Sequence, residues 1–425
     1  MAIPMTLGYL TTPLLSIVHV AVVGQFGSAA LLAGLAAGAA VLDLVFATFS
    51  FLRSSTTSLV AQACGSDDAD EEKAVFLRAF VLAVLSGCTL VLIAPLIADV
   101  GEWFLNPDEP VIIVMDLYIR IRLISAPVTF INYVISGYVL GRGKASLEFF
   151  LLLLINGTNI VFSIVFGLHL RWGISGVAWG ALCSEATAMI IGMTIIYRVF
   201  RPATKMPSRG TFNICALKRM LHLNCDMMLR SVFLVAAYIL FTRQSAQLGT
   251  LTLSANAVLL RIFLFSGYFL DGLATAAQQL AARAVGARDG AAFVRIVKLT
   301  SCWGLGLASL AGILILALGE QLVSVITNRA DVRELAVHYL PWAAFAALSG
   351  VPAFQMNGVF TGATWSCETR NAMLVSFGAF VAASFAFSSA FGNHGLWAAL
   401  HVFLLVRGLS LLSGLRHRFS STFAE

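Results

Sequence analysis

Long apolar stretches alternate with short polar segments along the whole chain. Twelve of them lie near residues 3–24, 29–51, 76–100, 111–140, 146–168, 174–198, 226–247, 252–276, 297–318, 336–362, 372–391 and 395–415. Each supplies the roughly 20 residues that an α-helix needs to cross a hydrocarbon layer of about 30 Å. The pattern therefore predicts an all-α membrane protein with twelve transmembrane helices. We expect some helices to continue beyond the lipid, for example through Gln62 and Gln279.

The two halves of the chain match each other when one is shifted by 221 residues. The coinciding residues are Gly65 and Gly286, Tyr118 and Tyr339, Gly137 and Gly358, and Gly141 and Gly362. An internal repeat of six spans is typical of transporters in which one half moves against the other. Because six is an even number, both halves enter the membrane from the same side. This predicts a parallel repeat with a central cleft between two six-helix lobes.

A polar stretch, 198–223, separates the sixth span from the seventh. We interpret it as a cytoplasmic linker between an N-terminal lobe, 1–205, and a C-terminal lobe, 206–425. A second polar segment, the acidic run Gly65–Lys73, is interpreted as a solvated turn without a specific role.

Two glycine pairs have the spacing that lets membrane helices approach closely. They are Gly34 with Gly38 in the second span and Gly137 with Gly141 in the fourth. Small residues four positions apart lie on one helix face, where a neighbouring backbone can come near. We interpret both pairs as packing features.

The composition agrees with a membrane protein. Apolar residues make up 59% of the chain and charged residues 11%, and the mean hydropathy is +0.89. Soluble domains carry about 25% charged residues. The basic residues also report orientation. With the N-terminus inside, 19 of the 27 Lys and Arg residues lie on the cytoplasmic side, among them Arg53 and Arg407, whereas four lie in outer loops.

This bias predicts that both termini are cytoplasmic. The net charge of +6 then reflects topology rather than a nucleic-acid partner. The seven cysteines are scattered without C-x-x-C pairs, which predicts free thiols. The sequence contains no Walker motif, catalytic triad, metal-ligand cluster or dinucleotide fingerprint, so we expect no enzyme activity, metal or cofactor.

Several segments resemble one transporter family over essentially the full chain and in the same order. They include PMTLGYLTTPLLSIVHVAVVGQFG (4–27), FLRSSTTSLVAQACG (51–65), GYVLGRG (137–143), LSANAVLL (253–260), FLDGLATAAQQ (269–279) and FQMNGVFTGAT (354–364). Together they look like the DinF branch of the multidrug and toxic compound extrusion (MATE) family. The resemblance implies twelve helices in two lobes around a cleft. It also implies export of organic compounds, usually cations, driven by proton or sodium antiport.

Three positions depart from the family pattern by losing a carboxylate. The first-span motif usually reads PLxxxVDTAVxG, with an aspartate that titrates and a helix that bends near the proline. Here Pro13 is present, but His19 replaces the aspartate. Gln278 stands where the family usually has glutamate, and Asn357 where it has aspartate. These substitutions put the usual coupling mechanism in doubt.

Ionisable residues within spans are functional candidates because their charge costs several kcal/mol in lipid unless it faces a cavity or a partner. In the N-terminal half the proton-coupling candidates are His19, Asp43 and Glu185. Histidine titrates near neutral pH but cycles between zero and plus one, so a protonated His19 would repel a cationic drug. A neutral, hydrogen-bonded His19 is the alternative.

The three N-terminal candidates lie at different predicted depths, roughly 7 Å for His19, 21 Å for Asp43 and 16 Å for Glu185. Direct pairing of His19 with Asp43 is therefore not expected. Asp43 and Glu185 are predicted to share a cavity in the N-terminal lobe, with a buried structural hydrogen bond as the alternative.

In the C-terminal half the substrate-cleft candidates are Asn256, Arg261, Asp271, Gln278 and Asn357. Arg261 and Asp271 are roughly 15 Å apart along one helix and do not pair. Arg261 therefore needs a water-filled cavity or an acid from another helix. Asp116, Arg120 and Arg122 lie toward the outer end of the fourth span, where an interfacial position is open to them.

The leading hypothesis is a monomeric exporter of small amphipathic organic compounds that works by alternating access and is driven by proton, or sodium, influx. The changed charges favour neutral or anionic substrates more than the resemblance implies. Two alternatives stay open. One is a relative that no longer transports and has a binding or structural role. The other is a flippase for lipid-linked substrates of the same superfamily, which would have a broad cationic cleft.

Overall fold

The computed structural model describes residues 2–106, 108–200 and 213–423, apart from the side chains of 12–14. All regular secondary structure in these residues is helical. By internal contacts the chain divides into two compact units. The N-terminal unit comprises Ile3–Cys64 and Asp68–Leu221, and the C-terminal unit comprises His222–Glu425 with the short segments Met1–Ala2 and Gly65–Asp67. The predicted boundary at 205/206 lies outside the described residues.

Within residues 2–106 and 108–200, the N-terminal unit is built from ten α-helices. They are α1 (Ala2–Leu10), α2 (Thr12–Gly24), α3 (Ala29–Thr48), α4 (Phe51–Gly65), α5 (Ala69–Leu92), α6 (Ala94–Leu105), α7 (Glu109–Ile124), α8 (Ala126–Gly141), α9 (Ala145–Ile164) and α10 (Gly173–Phe200). A π-helical turn, Val165–His169, continues α9.

Prolines divide several of the predicted spans into two helices. The span predicted at 76–100 as one helix is α5 followed by α6, with Pro95 in the first turn of α6. The span predicted at 111–140 is α7 followed by α8, with Pro127 in the first turn of α8. Proline has no N–H to donate and its ring clashes with the preceding turn, which favours the start of a new helix at Pro95 and at Pro127.

Pro13 has the same position in the first turn of α2, immediately after the interruption at Thr11. The side chain of Pro13 lies outside the described part of the chain. Asn156 of α9 donates a hydrogen bond of 2.6 Å to the Thr11 hydroxyl. The interruption in the first span is therefore tied to the fifth span.

Residues 213–423 form five long helices, which build the C-terminal unit from His222 onward. They are α11 (Ile214–Gln247), α12 (Thr250–Gly286), α13 (Gly290–Ile326), α14 (Ala330–Gly362) and α15 (Ser366–Phe423). Gly392 breaks α15 with φ 57° and ψ −130°, a conformation that glycine adopts without a steric penalty. The break separates the last two predicted spans.

Among the described residues, ten helices or helix pairs are long and apolar enough to cross a membrane. The two parts of α15 are separate crossings, and α7 with the shorter apolar α8 forms another, so the predicted number of twelve is confirmed. The expected extensions are also confirmed, since α4 continues through Gln62 and α12 through Gln279. Many large apolar side chains on these helices are exposed, for example Leu92 at 81% and Val325 at 86%. Such surfaces require lipid.

The glycines of the fourth span pack against the second span within the N-terminal unit. A Cβ added to Gly137 would lie 2.6 Å from the backbone oxygen of Arg53. A Cβ added to Gly141 would lie 2.9 Å from the backbone oxygen of Thr57. Only a hydrogen at these positions lets α8 approach α4 this closely.

The C-terminal unit repeats this contact with the same offset in sequence. Gly358 abuts the backbone oxygen of Ala274, and Gly362 abuts that of Gln278. Each of these four residues lies 221 positions after its counterpart in the α4–α8 contact. The repeat inferred from sequence is therefore a repeat of helix packing.

Gly34 and Gly38 make a similar close contact between α3 and α7. A Cβ on Gly38 would lie 2.8 Å from the ring of Tyr118, and a Cβ on Gly34 would overlap Val114. The packing interpretation of both glycine pairs is confirmed.

The acidic run Gly65–Lys73 does more than form a solvated turn, which corrects the prediction. Glu71 makes a two-pronged ion pair with Arg78, with both N–O distances at 2.9 Å. Glu72 accepts a short hydrogen bond from the hydroxyl of Tyr138. The run therefore joins the start of α5 to α8.

Candidate functional site

A buried polar cluster of the N-terminal unit is centred on the ion pair between Arg122 and Glu185. The Arg122 guanidinium on α7 donates to the Glu185 carboxylate on α10 across 3.1 Å. The hydroxyl of Thr129 donates to the other carboxylate oxygen at 2.5 Å. Asn132 donates to the backbone oxygen of Glu185 at 2.8 Å. Three helices thus meet at one carboxylate.

Arg122 is buried rather than interfacial, which decides between the positions that the sequence left open. Its side chain is 13% exposed, and its guanidinium also donates to Ser125 at 2.8 Å. The guanidinium carbon lies 5.4 Å from the centre of the Phe46 ring, a cation–π distance. Because α7 ends at Ile124, Arg122 stands in its last turn, where a cation is favoured.

Asp43 differs from Glu185 in its surroundings. Its side chain on α3 is exposed, and within the described residues it has no hydrogen bond or ion pair. It lies within electrostatic range of Arg122. The charges of Asp43, Glu185 and Arg122 all act on the buried hydroxyl of Tyr118. The two carboxylates therefore share one guanidinium as their common neighbour.

His19 lies on α2 and is half-buried. Its Nε2 is 3.1 Å from the side-chain oxygen of Asn159 on α9, so Nε2 carries the donated proton in this arrangement. The same oxygen accepts a bond of 3.0 Å from Ser163. His19 is not paired with Asp43, as its predicted depth indicated.

Glu148 was not among the candidates, although it lies within the fifth predicted span. It is fully buried in the first turn of α9, with the side chain of Ser136 beside its carboxylate. The guanidinium of Arg53 lies within electrostatic range and donates to the hydroxyl of Tyr9 at 2.9 Å. Glu148 could have been identified from the sequence as an acidic residue within an apolar stretch.

The five substrate-cleft candidates all belong to the C-terminal unit but lie in three different places. Asn256 on α12 is buried, and its side-chain nitrogen donates to Ser245 at 2.8 Å and to Asn393 at 2.7 Å. Its oxygen accepts from Asn393 at 3.1 Å and from Trp397 at 2.9 Å. Every donor and acceptor of this amide is used. Asn256 therefore fastens α11 and α12 to the break in α15.

Arg261 is exposed on α12 and lines a cavity of about 280 Å³. Thr242, Ser245 and the edge of Asn256 supply the polar part of its wall. Arg261 has no ion pair among the described residues. Gln278 is buried deeper in α12, where its backbone contacts Gly362.

Asp271 and Asn357 lie beside two arginines that the sequence did not single out. Arg230 on α11 donates to the Asn357 side-chain oxygen at 3.1 Å. Arg407, in the second part of α15, is 5% exposed. Asp271 lies within electrostatic range of both guanidinium groups. Arg230 and Arg407 could each have been identified from the sequence as a basic residue within an apolar stretch.

Metal sites and disulfides are absent from the described residues. No group of three or more His, Cys, Asp or Glu side chains there is arranged to hold a metal ion. All seven cysteines are free thiols, as predicted.

The broken spans, the packing repeat and the intramembrane polar clusters are typical of a multi-pass membrane transporter. The chain belongs to the MatE family, whose model matches residues 4–165 and 227–387. It is 33% identical over 424 residues to DNA damage-inducible protein F of Escherichia coli (strain K12), covering 97% of this chain and 90% of that protein. It is 25% identical to a probable multidrug resistance protein NorM of Bacillus anthracis, covering 78% of this chain and 74% of that protein.

Solved structures show the same fold. A mutant of the Vibrio cholerae MATE transporter VcmN matches with a TM-score of 0.91 at 18% identity, covering 99% of this chain and 96% of that chain. A MOP superfamily transporter from Pyrococcus furiosus matches with a TM-score of 0.88 at 18% identity, covering 99% of this chain and 95% of that chain. The family expectation drawn from the sequence motifs is confirmed.

Proposed function

We propose that the chain exports small amphipathic organic compounds across a bacterial inner membrane, as a monomer working by alternating access. Both termini are cytoplasmic in this proposal, as the distribution of Lys and Arg indicates. The names of its relatives, such as multidrug resistance protein and DETOXIFICATION, support an organic substrate. We further propose that inward proton movement drives export.

The observation that carries the proton proposal is the position of Arg122 between two carboxylates. Arg122 is held by Glu185, while Asp43 is exposed and has no hydrogen-bond partner among the described residues. An ionised Asp43 competes with Glu185 for the guanidinium, and a protonated Asp43 does not. Protonation of Asp43 therefore biases Arg122 toward α10, and loss of the proton draws it toward α3. Such a change between helices is what an alternating transporter requires.

His19 serves as a second titratable group in this proposal. Its bond to Asn159 connects α2 to α9, on the helix that begins next to Pro13. A proton on Nδ1 adds a positive charge in the same unit as Arg122 and so favours an ionised Asp43. The two groups then respond to pH in a linked way.

The test is uptake of a fluorescent organic compound into inside-out vesicles, under an imposed proton gradient and under an imposed sodium gradient. We expect the proton gradient alone to drive uptake. Asp43→Asn should abolish the dependence on the proton gradient, and His19→Ala and His19→Asp should shift its pH profile. Uptake that follows only sodium, or that is unchanged in all three variants, would overturn proton coupling at these residues.

One observation favours the alternative of a relative without transport activity. His19 and Glu185 already have hydrogen-bond partners within the unit, as structural groups do. Reconstituted protein that moves any tested compound down an imposed gradient excludes this alternative.

A further inference from the structure

The C-terminal unit contains two arginines inside its membrane spans and little to neutralise them. Arg407 is 5% exposed, and its guanidinium has no hydrogen bond or ion pair within residues 213–423. Arg230 is bonded to Asn357, but its Nε is sealed from solvent without a partner in the described part of the chain. Both side chains therefore have unused donors in an apolar setting.

The charges of this cluster do not balance. Asp271 is the carboxylate that acts on both arginines, and the nearby Tyr238 is uncharged near neutral pH. Two guanidinium groups face one carboxylate, which leaves a net charge of plus one. Arginine cannot lose its proton to relieve this imbalance.

An uncompensated positive charge within a membrane span is costly and marks a functional position. In the N-terminal unit the protein itself offsets the free-energy cost of burying an arginine, because Glu185 is the counter-charge of Arg122. Among the described residues of the C-terminal unit, Asp271 is the one carboxylate that acts on these two guanidinium groups, so a counter-charge from a bound ligand would be favoured. The exposed side chain of Asp271 and the half-buried Asn357 show that the cluster is open to the surface of the unit.

We propose that Arg230 and Arg407, with Asn357 as a polar neighbour, bind an anionic group of an amphipathic ligand. The group is a carboxylate, sulfonate or phosphate, because the planar fork of a guanidinium matches pairs of oxygen atoms. Asp271 opposes binding and limits its strength, so that the ligand can leave again. The site would serve the proposed export function as a substrate subsite, and its role rests on that proposal. The binding of an anionic group at this site does not depend on the proposed export function.

The experiment measures equilibrium binding of dansyl-undecanoic acid and of its methyl ester to the full-length protein in phosphatidylcholine nanodiscs. The two probes differ in charge and share the apolar body. We expect the acid to bind about 10–100-fold more tightly than the ester, the range for one or two charge-assisted hydrogen bonds. Arg407→Gln and Arg230→Gln should each remove most of this preference, and Arg407→Lys should keep part of it.

Asp271→Asn provides a test with the opposite sign. Removing the single carboxylate raises the positive charge of the cluster, so affinity for the acid should increase several-fold while affinity for the ester stays the same. A misfolded protein cannot show this gain. Arg329→Gln, a change at an arginine outside the spans, is the matched control and should leave both affinities unchanged.

Equal affinities of the acid and the ester for the unmodified protein would overturn the proposal. So would an acid preference that persists in Arg407→Gln protein with a normal size-exclusion profile, or a weaker affinity for the acid in Asp271→Asn. Repeating the titration in nanodiscs with phosphatidylglycerol separates two sources of the anion. Competition by that lipid supports a lipid headgroup as the occupant, and unchanged binding supports a soluble substrate. Since no gradient is applied, failure of proton-driven transport would leave these results intact.

Discussion

Arg122 of α7 and Glu185 of α10 form a buried ion pair at 3.1 Å, although they lie 63 residues apart in the chain. The exposed fractions of their side chains are 13% and 11%. A second pair, Arg120 with Asp116, lies on the same helix, α7, but is much more exposed. The two pairs share a helix and differ in burial, which makes them a natural comparison.

Removing one partner of the buried pair should destabilise the protein strongly. Glu185→Gln leaves the Arg122 guanidinium without its counter-charge, and we expect the free energy of unfolding to fall by about 3–5 kcal/mol. Arg122→Gln combined with Glu185→Gln should cost less than either single change. Unfolding in mixed micelles with increasing sodium dodecyl sulfate measures these differences. Asp116→Asn is the control and should cost no more than about 1 kcal/mol. Equal losses for the two sites would contradict the assignment.

The two units should respond alike to changes at their equivalent glycines. Gly141→Ala and Gly362→Ala each place a methyl group against a neighbouring backbone, and we expect a loss of about 1–3 kcal/mol in each case. Gly157→Ala and Gly306→Ala are controls, since a Cβ there meets nothing within 4 Å. Thermal unfolding of the purified variants checks this. A harmless Gly362→Ala beside a damaging Gly141→Ala would show that the packing repeat is not equivalent.

Asn256 is predicted to act through stability rather than through a substrate. Asn256→Leu leaves the buried donors of Asn393 and Trp397 unsatisfied, at a cost of about 1–3 kcal/mol for each lost partner. We expect a clear fall in thermal stability and no change in the affinity of a transported compound. Gln321→Leu, at an exposed position of α13, should change neither quantity. A fall in affinity with unchanged stability would instead make Asn256 a ligand-binding residue.

The role of Asp43 can be tested with one substitution that keeps a titratable carboxylate and one that removes it. Asp43→Glu keeps a titratable carboxylate in range of Arg122 and should preserve gradient-driven uptake, whereas Asp43→Asn should reduce it at least about tenfold. Neither change should alter thermal stability much, because Asp43 is exposed and has no hydrogen-bond partner among the described residues. Uptake by Asp43→Asn at the rate of the unmodified protein would exclude Asp43 as the proton carrier.

The number of spans could be predicted from the sequence because hydrophobicity is a property of each residue by itself. The repeat and the family could be predicted because matching residues and motifs recur in the same order. A stretch of about 20 apolar residues predicts a crossing wherever its neighbours lie. Gly137 and Gly141 were interpreted correctly for a related reason, since their spacing defines one helix face. The proline breaks at α6 and α8 were missed, because an apolar stretch looks continuous across a proline.

The pairing of charges was decided by the tertiary structure alone. The depth of Arg122 left an interfacial position open, but depth along a span does not tell which side of a helix faces a partner. The side of a helix that faces a partner depends on where the helices end and on which helix faces pack together. Such packing joins residues that are far apart in the chain. Asn256 and Arg407 show the difference. All donors and acceptors of the Asn256 amide form hydrogen bonds, whereas the Arg407 guanidinium has no hydrogen bond within the described structure. Sequence determined which polar residues enter the membrane, and tertiary structure decided which of them are satisfied there.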